Sequence, residues 1–276
     1  MMRIAVDAMG GDAAPVEIVK GAVGAARIFS DHEIILVGDQ KCIQSELDAC
    51  GYGFSNISIV HASQVVGMNE SATVAVRKKV DSSITRSVKL VAEKTADAIV
   101  SAGNTGATVA AASLFLRTLE NVKRPGIAVS IPTFHGTCMV IDTGANIQCK
   151  PEHLMQYAVM ASVFSKYVLN IDKPRVGLLN IGEEDAKGNK LVKETFALLS
   201  STPINFVGNA EGRDVFDGKF DIVVCEGFVG NVLMEFDESL TKSMLNAFVS
   251  EGNKNFITKI GAWLCKPVRR KVYSSM

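Results

Sequence analysis

The sequence lacks the cysteine spacings and long apolar runs of secreted, zinc-binding or membrane-spanning proteins. Its six cysteines include no CxxC pair, and Cys138 and Cys225 lie in apolar runs where a thiol is usually a small buried hydrophobe. Residues 1–9 lack the apolar core of a secretion signal, and no apolar run reaches the roughly 18 residues of a membrane span. We therefore expect a cytoplasmic protein with free thiols.

The sequence also lacks an excess of charge and the motifs of several enzyme classes. Lys plus Arg and Asp plus Glu both total 29, so no globally basic surface for nucleic acid is expected. The absence of GxGxxG, GxxxxGKS/T and GxSxG argues against dinucleotide-binding enzymes, nucleotide triphosphatases and serine hydrolases. His135 and His153 are candidates for a general base, although lone histidines are more often surface or helix-start residues.

What the sequence does contain is a regular alternation of short apolar runs and amphipathic segments. The runs predict strands at residues 4–9, 34–37, 57–61, 98–101, 126–131, 138–141, 176–179, 204–207 and 222–225. Helices are predicted at residues 16–29, 105–119, 153–169, 191–199 and 232–249. This alternation predicts an α/β fold with a doubly wound, mostly parallel sheet. We expect a single catalytic domain over residues 1–276, or two subdomains that share the sheet.

Six of the predicted strands run into turns rich in glycine and polar residues. The turns cover residues 7–12, 101–106, 142–146, 180–184, 208–214 and 226–231. Ligands of open α/β sheets bind outside the carboxyl ends of the strands, so we expect these turns to converge on one crevice. The sequence therefore predicts an enzyme or a ligand-binding protein.

Two of these turns have the features of a phosphate cradle. Residues 101–106 lead directly into a predicted helix, whose free N–H groups favour an anion, and their glycines allow close approach. Asn104 or Thr105 could instead simply cap that helix. Gly10 and Gly11 offer a second cradle, for which the alternative is a tight turn before the next helix.

The turn at residues 180–188 carries three acids and Lys187, which could hold phosphate or stabilise an oxyanion. The acids could orient the lysine, bind a divalent cation, or lie in the first turn of a helix. Arg213 could bind phosphate or pair with Asp214. Asp217 and Asp221 are interpreted as part of a turn.

A basic tail, residues 254–271, contains six basic residues and no acid. Its apolar residues follow helical spacing and include the single tryptophan of the chain: Phe256, Ile257, Ile260, Trp263 and Leu264. Such a helix can lie in a lipid interface, bind an acidic protein partner, or face the core of the protein.

Seven motifs together resemble the bacterial phosphate acyltransferase family that depends on acyl carrier protein. They are DAMGGD (7–12), VRKKVDSS (76–83), SAGNTGA (101–107), DTGAN (142–146), NIGEE with KGN (180–189), GNAEGRD (208–214) and GFVGN (227–231). The resemblance implies transfer of an acyl group from acyl carrier protein to inorganic phosphate, giving acyl phosphate for phospholipid synthesis. It implies a fold related to phosphotransacetylase and isocitrate or isopropylmalate dehydrogenases, a homodimer, and peripheral attachment to the membrane.

The sequence departs from the family pattern at two points. Glu226 stands where the family usually has Asp, and the family continues beyond residue 276 with a glycine-rich segment, a strand and a helix. Two other functions stay open: a nicotinamide-dependent decarboxylating dehydrogenase, and a non-catalytic phosphate or acyl-ligand sensor.

The expected site residues follow from these motifs, with no cofactor and no metal. The expected catalytic residues are Lys187, Asn180 and Asn231. The expected substrate and phosphate contacts are Asp7, Gly10, Gly11, Asp12, Ser101, Gly103, Asn104, Thr105, Gly106, Asp142, Asn146, Glu183, Asn209 and Arg213. The expected membrane or carrier-protein contacts are Phe256, Ile260, Trp263, Leu264, Arg269 and Arg270.

Overall fold

The computed structural model describes residues 1–267 except 52, 54, 134, 135, 253 and 255, and it describes residues 256 and 257 by their backbone only. Arg269, Arg270 and His135, and the side chain of Phe256, therefore lie outside the described residues. The chain divides into two compact units, Met1–Asn121 (unit 1) and Val122–Met276 (unit 2).

Unit 1 is built on a four-stranded parallel sheet in the order β3-β2-β1-β4. Its strands are β1 (Arg3–Asp7), β2 (Glu33–Gly38), β3 (Ile57–His61) and β4 (Ala98–Ser101). Its helices are α1 (Val16–Ile28), α2 (Gln40–Ala49), α3 (Ala72–Lys78), α4 (Ser83–Ala92) and α5 (Thr105–Phe115). Leu36 packs with α1 and α2, whereas Val37 belongs to a separate cluster with Leu90 of α4. Because both faces of β2 are covered, this strand reads as a continuous apolar run.

Unit 2 contains a five-stranded sheet in the order β5-β6-β9-β7-β8. Its strands are β5 (Ala128–Thr133), β6 (Gly136–Ile141), β7 (Val176–Leu179), β8 (Phe206–Ala210) and β9 (Ile222–Val224). Its helices are α6 (Pro151–Tyr167), α7 (Lys190–Ser200), α8 (Gly227–Gly252) and α9 (Phe256–Leu264), with a short 3-10 helix at Gly212–Val215. The β5–β6 pair is antiparallel, and the other pairs are parallel.

The core of unit 2 also has two apolar layers. Tyr157 of α6 packs with Leu178 on one side of the sheet, and Phe220 packs with Val223 on the other. Cys138 and Cys225 are buried, as the sequence predicts, and burial raises the pKa of the Cys138 thiol to about 12. The described cysteines are free.

The mostly parallel α/β fold is confirmed, but its strands belong to two sheets. The sequence did not predict α2, α3 and α4. The predicted start of α8, residue 232, is five residues too late, because the prediction did not include the cap at Glu226. Among the described helices, none combines the length and hydropathy needed to cross a bilayer.

Candidate functional site

The six glycine-rich turns fall into two groups. Turns 7–12 and 101–106 belong to unit 1, and the remaining four turns belong to unit 2. Convergence of all six on one crevice stays a prediction.

In unit 1, a buried carboxylate joins the two turns. Asp7 is fully buried at the end of β1, and its Oδ2 accepts a hydrogen bond from the Ser101 hydroxyl at 2.7 Å. Its Oδ1 accepts from the backbone N–H of Met9 at 3.2 Å. The Ser101 oxygen in turn accepts from the N–H of Gly103 at 3.1 Å. Asp7 and Ser101 therefore hold the backbone of the two turns in place, and the Ser101 hydroxyl donates its proton to the Asp7 carboxylate.

Glycine is required where the two turns touch. A Cβ on Gly10 would overlap the Asp7 carboxylate and lie 2.8 Å from the Gly103 nitrogen. Gly11 has φ +102°, in the left-handed region that suits glycine, and faces Ala102. The turns thus contact each other through bare backbone, while Asp12 is exposed.

The side chain of Asn104 both caps α5 and holds the neighbouring segment at residues 67–70. It is buried, and its Oδ1 accepts from the N–H of Ala107 at 2.9 Å, which caps α5. Its Nδ2 donates to the carbonyl oxygens of Gly67, Met68 and Glu70 at 3.2, 3.0 and 3.1 Å. The amide is therefore fully engaged with backbone. The N–H groups of Thr105 and Gly106, which have no intrahelical partner, remain available to an anion.

In unit 2, Asp142 and Asn146 form a similar holding pair after β6. The buried Asp142 carboxylate accepts from the N–H groups of Ile127, Ala145 and Asn146 at 3.0, 3.0 and 2.8 Å, and from the Asn146 side chain at 3.1 Å. The Asn146 amide also donates to the Tyr157 hydroxyl at 2.9 Å. All four acceptor positions of the carboxylate are thus occupied, so Asp142 shapes the turn.

The start of α8 packs closely onto this turn. A Cβ on Gly230 would overlap the carbonyl oxygen of Asp142, and one on Gly227 would lie 2.7 Å from that of Asn146. The Glu226 carboxylate accepts from the N–H groups at positions 228 and 229 at 2.8 and 3.0 Å, so it caps the helix. The longer side chain at 226 therefore still serves as a cap.

The lysine turn, residues 180–188, presents an exposed cation. Asn180 holds the turn closed, because its Nδ2 donates to the Lys187 carbonyl at 3.3 Å and its Oδ1 accepts from the Ile181 N–H at 2.8 Å. Within the described part of the chain, the Lys187 ammonium has no ion pair. Helix α7 begins only at Lys190, so the assignment of the three acids to a helix start is wrong.

The acids beside Lys187 have contacts of their own, one of them with Lys219, a residue that the sequence did not single out. Lys219 contacts Glu183 at 2.6 Å, and this hydrogen bond lowers the pKa of the Glu183 carboxyl. The buried Asn209 amide donates to the carbonyl of Glu184 at 3.2 Å. The partner of Arg213 is Glu211, at 2.8 Å, which corrects the predicted pairing with Asp214.

Two further expectations have clear outcomes. His153 is buried at the start of α6, where its Nδ1 accepts from the Lys150 N–H at 3.2 Å, and burial lowers its pKa. It is thus a helix-start residue. In α9, Ile260, Trp263 and Leu264 are 46%, 71% and 63% exposed, so the core-facing alternative is wrong for them. Among described residues, no three His, Cys, Asp or Glu side chains are grouped to hold a metal ion.

Comparison with known proteins gives one consistent family. The profile described as fatty acid synthesis protein matches residues 2–276. A phosphate acyltransferase from Halothermothrix orenii is 47% identical over 272 residues, covering 98% of this chain and 81% of that protein. A phosphate acyltransferase from Desulforamulus reducens is 48% identical over 271 residues, covering 95% of this chain and 81% of that protein.

Solved structures share the fold at much lower identity. A phosphotransacetylase from Streptococcus pyogenes has a TM-score of 0.65 and 17% identity, covering 87% of this chain and 82% of that chain. The EutD phosphotransacetylase from Staphylococcus aureus has a TM-score of 0.60 and 18% identity, with the same coverage. These likenesses confirm the expected relation to the phosphotransacetylase fold.

Proposed function

Because this chain belongs to the fatty acid synthesis protein family, we propose that it is a phosphate acyltransferase that converts acyl carrier protein thioesters and inorganic phosphate into acyl phosphate for phospholipid synthesis. The observation that carries this proposal is the 47% identity to a phosphate acyltransferase over nearly the whole chain. The glycine-rich strand ends supply the chemistry that such a reaction needs.

We propose that phosphate binds in unit 1, at the N–H groups of Thr105 and Gly106 and at turn 10–12. The start of α5 carries free donors and a partial positive charge, and both favour an anion. Gly10 and Gly11 allow turn 10–12 to lie directly against the turn that leads into α5. Asp7 acts by holding the turns, because its carboxylate would repel phosphate at short range.

In unit 2, we propose that Lys187 stabilises the oxyanion that develops on the thioester carbonyl. The exposed ammonium supports this role, because it can approach the carbonyl oxygen and its positive charge stabilises the negative charge that develops there. Asn231, the fifth residue of α8, is exposed and offers an amide as a second donor.

The reaction we propose is a direct displacement. A phosphate oxygen attacks the carbonyl carbon, the C–S bond breaks, and the thiolate of the carrier leaves and takes a proton from water. Phosphate is already an anionic nucleophile, so positioning and electrostatic stabilisation suffice. This is consistent with the engagement of His153 at a helix start, because no general base is needed.

We propose that the protein acts as a homodimer in which α8 packs against a second copy. Exposed apolar residues recur every fourth position along α8: Phe228, Val232, Phe236, Leu240, Met244 and Phe248. Residues spaced in this way form a ridge that can enter the groove of another helix. Sedimentation equilibrium should give a dimer, and the double variant Phe236→Asp/Met244→Asp should sediment as a monomer; a monomeric parent protein would contradict the proposal.

We also propose that α9 attaches the protein peripherally to the cytoplasmic membrane surface. Its exposed apolar side chains lie in a segment that carries only basic charges, which suits an anionic lipid surface. The same charges suit the acidic acyl carrier protein that the reaction requires.

The activity is tested by following release of free thiol from an acyl carrier protein thioester, with and without phosphate. We expect thiol release that depends on both phosphate and the protein, with acyl phosphate as the second product. Binding of phosphate without thiol release would instead indicate a sensor. A thermal shift on addition of NAD would indicate a dehydrogenase.

A further inference from the structure

A short segment beside α5, residues 65–70, is held from two sides by polar side chains. On one side, Asn104 of the anion-binding turn donates to three of its carbonyl groups. On the other side lies an ion pair that the proposed mechanism does not use. The segment thus connects this pair with the first turn of α5.

The ion pair consists of Glu70 and Lys79. Both side chains also bind backbone groups of the segment. Glu70 Oε1 accepts from the N–H of Gly67 at 2.6 Å and from the Lys79 ammonium at 2.5 Å. Lys79 also donates to the carbonyl of Val65 at 2.7 Å. The two side chains therefore fix both ends of the segment whose carbonyl groups Asn104 contacts.

We propose that Glu70 and Lys79 are positioning residues for phosphate binding. They set the carbonyl groups of residues 67, 68 and 70, these orient Asn104, and Asn104 sets the first turn of α5. The proposal rests on the proposed function, because it assumes that phosphate binds at that turn.

Three observations favour a local role over a contribution to overall stability. The side chains of Lys79 and Glu70 are 30% and 38% exposed, and an ion pair of this kind adds little to global stability. Asn104 is buried, so displaced carbonyl groups would leave its donors unsatisfied, which is costly. Hydrogen bonding to Lys79 and to Gly67 lowers the pKa of Glu70, which keeps its carboxylate in the ionised form that accepts both bonds.

The test compares Lys79→Met, Glu70→Gln and Lys79→Arg with a matched control. Lys20→Met removes an ion pair of similar length, 2.8 Å to Glu17, from α1, which packs in a different apolar cluster from α3 and α5. In the thiol-release assay we expect the KM for phosphate to rise about tenfold or more in Lys79→Met and Glu70→Gln, with a smaller change in the KM for the acyl carrier protein thioester. Lys79→Arg should restore most of the phosphate KM, and Lys20→Met should leave it unchanged.

Amide hydrogen exchange gives a readout independent of activity. Lys79→Met and Glu70→Gln should accelerate exchange in a peptide covering residues 101–115 and leave one covering residues 16–28 unchanged. An unchanged phosphate KM in both variants, or exchange unchanged at residues 101–115, would overturn the proposal. If the wild-type protein showed no phosphate-dependent thiol release, the proposed function would be refuted instead. Amide hydrogen exchange in residues 101–115 would still test whether Glu70 and Lys79 set the first turn of α5. Should one variant fail to fold, the other suffices.

Discussion

At the residue scale, the polar side chains at the strand ends mainly hold the turns in shape. Two aspartates and two asparagines make their hydrogen bonds with backbone groups or with neighbouring side chains: Asp7, Asp142, Asn104 and Asn146. The sequence could identify these residues, because polar groups after apolar strands stand out. It could not predict their partners, since the Gly67 carbonyl that Asn104 contacts lies 37 positions away.

The clearest residue-scale prediction concerns Lys187. Lys187→Ala should lower the rate of thiol release about 10²-fold, because the variant lacks the donor that we propose for the developing oxyanion. Stability should change by less than about 0.5 kcal/mol, since the side chain is exposed. The matched control is Lys190→Ala, three positions on, whose side chain is 88% exposed. Equal rates in the two variants would remove Lys187 from the mechanism.

At the element scale, prediction worked where a strong local pattern existed. Strands β3, β4 and β7 have the predicted bounds, because each is a short run rich in apolar residues that polar residues bound on both sides. Helix α2 was missed because it is largely polar and buries only Ile43 and Leu47. Strand β8 begins two residues later than predicted and includes Gly208 and Asn209, because pairing with β7 extends it into the glycine-rich turn.

The docking of α8 gives the element-scale prediction. Gly230→Ala should destabilise the protein by about 1–3 kcal/mol, because the new Cβ would overlap the Asp142 carbonyl. Gly24→Ala in α1 is the control. No atom of a described residue is recorded within 4 Å of a Cβ at this position, so the higher helix propensity of alanine should stabilise the protein by up to about 1 kcal/mol. Urea unfolding measures both. An increase of the same size in the free energy of unfolding of both variants would mean that α8 does not depend on close contact at residue 230.

At the scale of the whole molecule, the sequence predicts the fold class but not how the strands are shared between the two sheets. Local periodicity marks strands without saying which strands pair. In unit 2, β9 lies between β6 and β7 although it follows both in the chain. The glycine-rich turns divide between the units where the chain passes from residue 121 to residue 122, and no local pattern marks that point.

The proposed attachment to a membrane concerns the whole molecule, and a single residue can report it. Trp263 is the single tryptophan of the chain and is 71% exposed, so its fluorescence emission should shift to shorter wavelength when anionic vesicles are added. Zwitterionic vesicles should have a smaller effect, because each Lys or Arg near an anionic surface contributes about 1 kcal/mol.

The variant Ile260→Ser/Leu264→Ser should abolish the shift, since both side chains lie exposed on the same helix as the tryptophan. Ile28→Ser, at a residue of α1 that is 75% exposed, should leave the shift intact. Because this control removes a comparable apolar side chain from unit 1, it separates insertion of α9 from general adhesion of apolar surface. Unchanged emission of the parent protein with anionic vesicles would mean that α9 serves a protein partner rather than lipid.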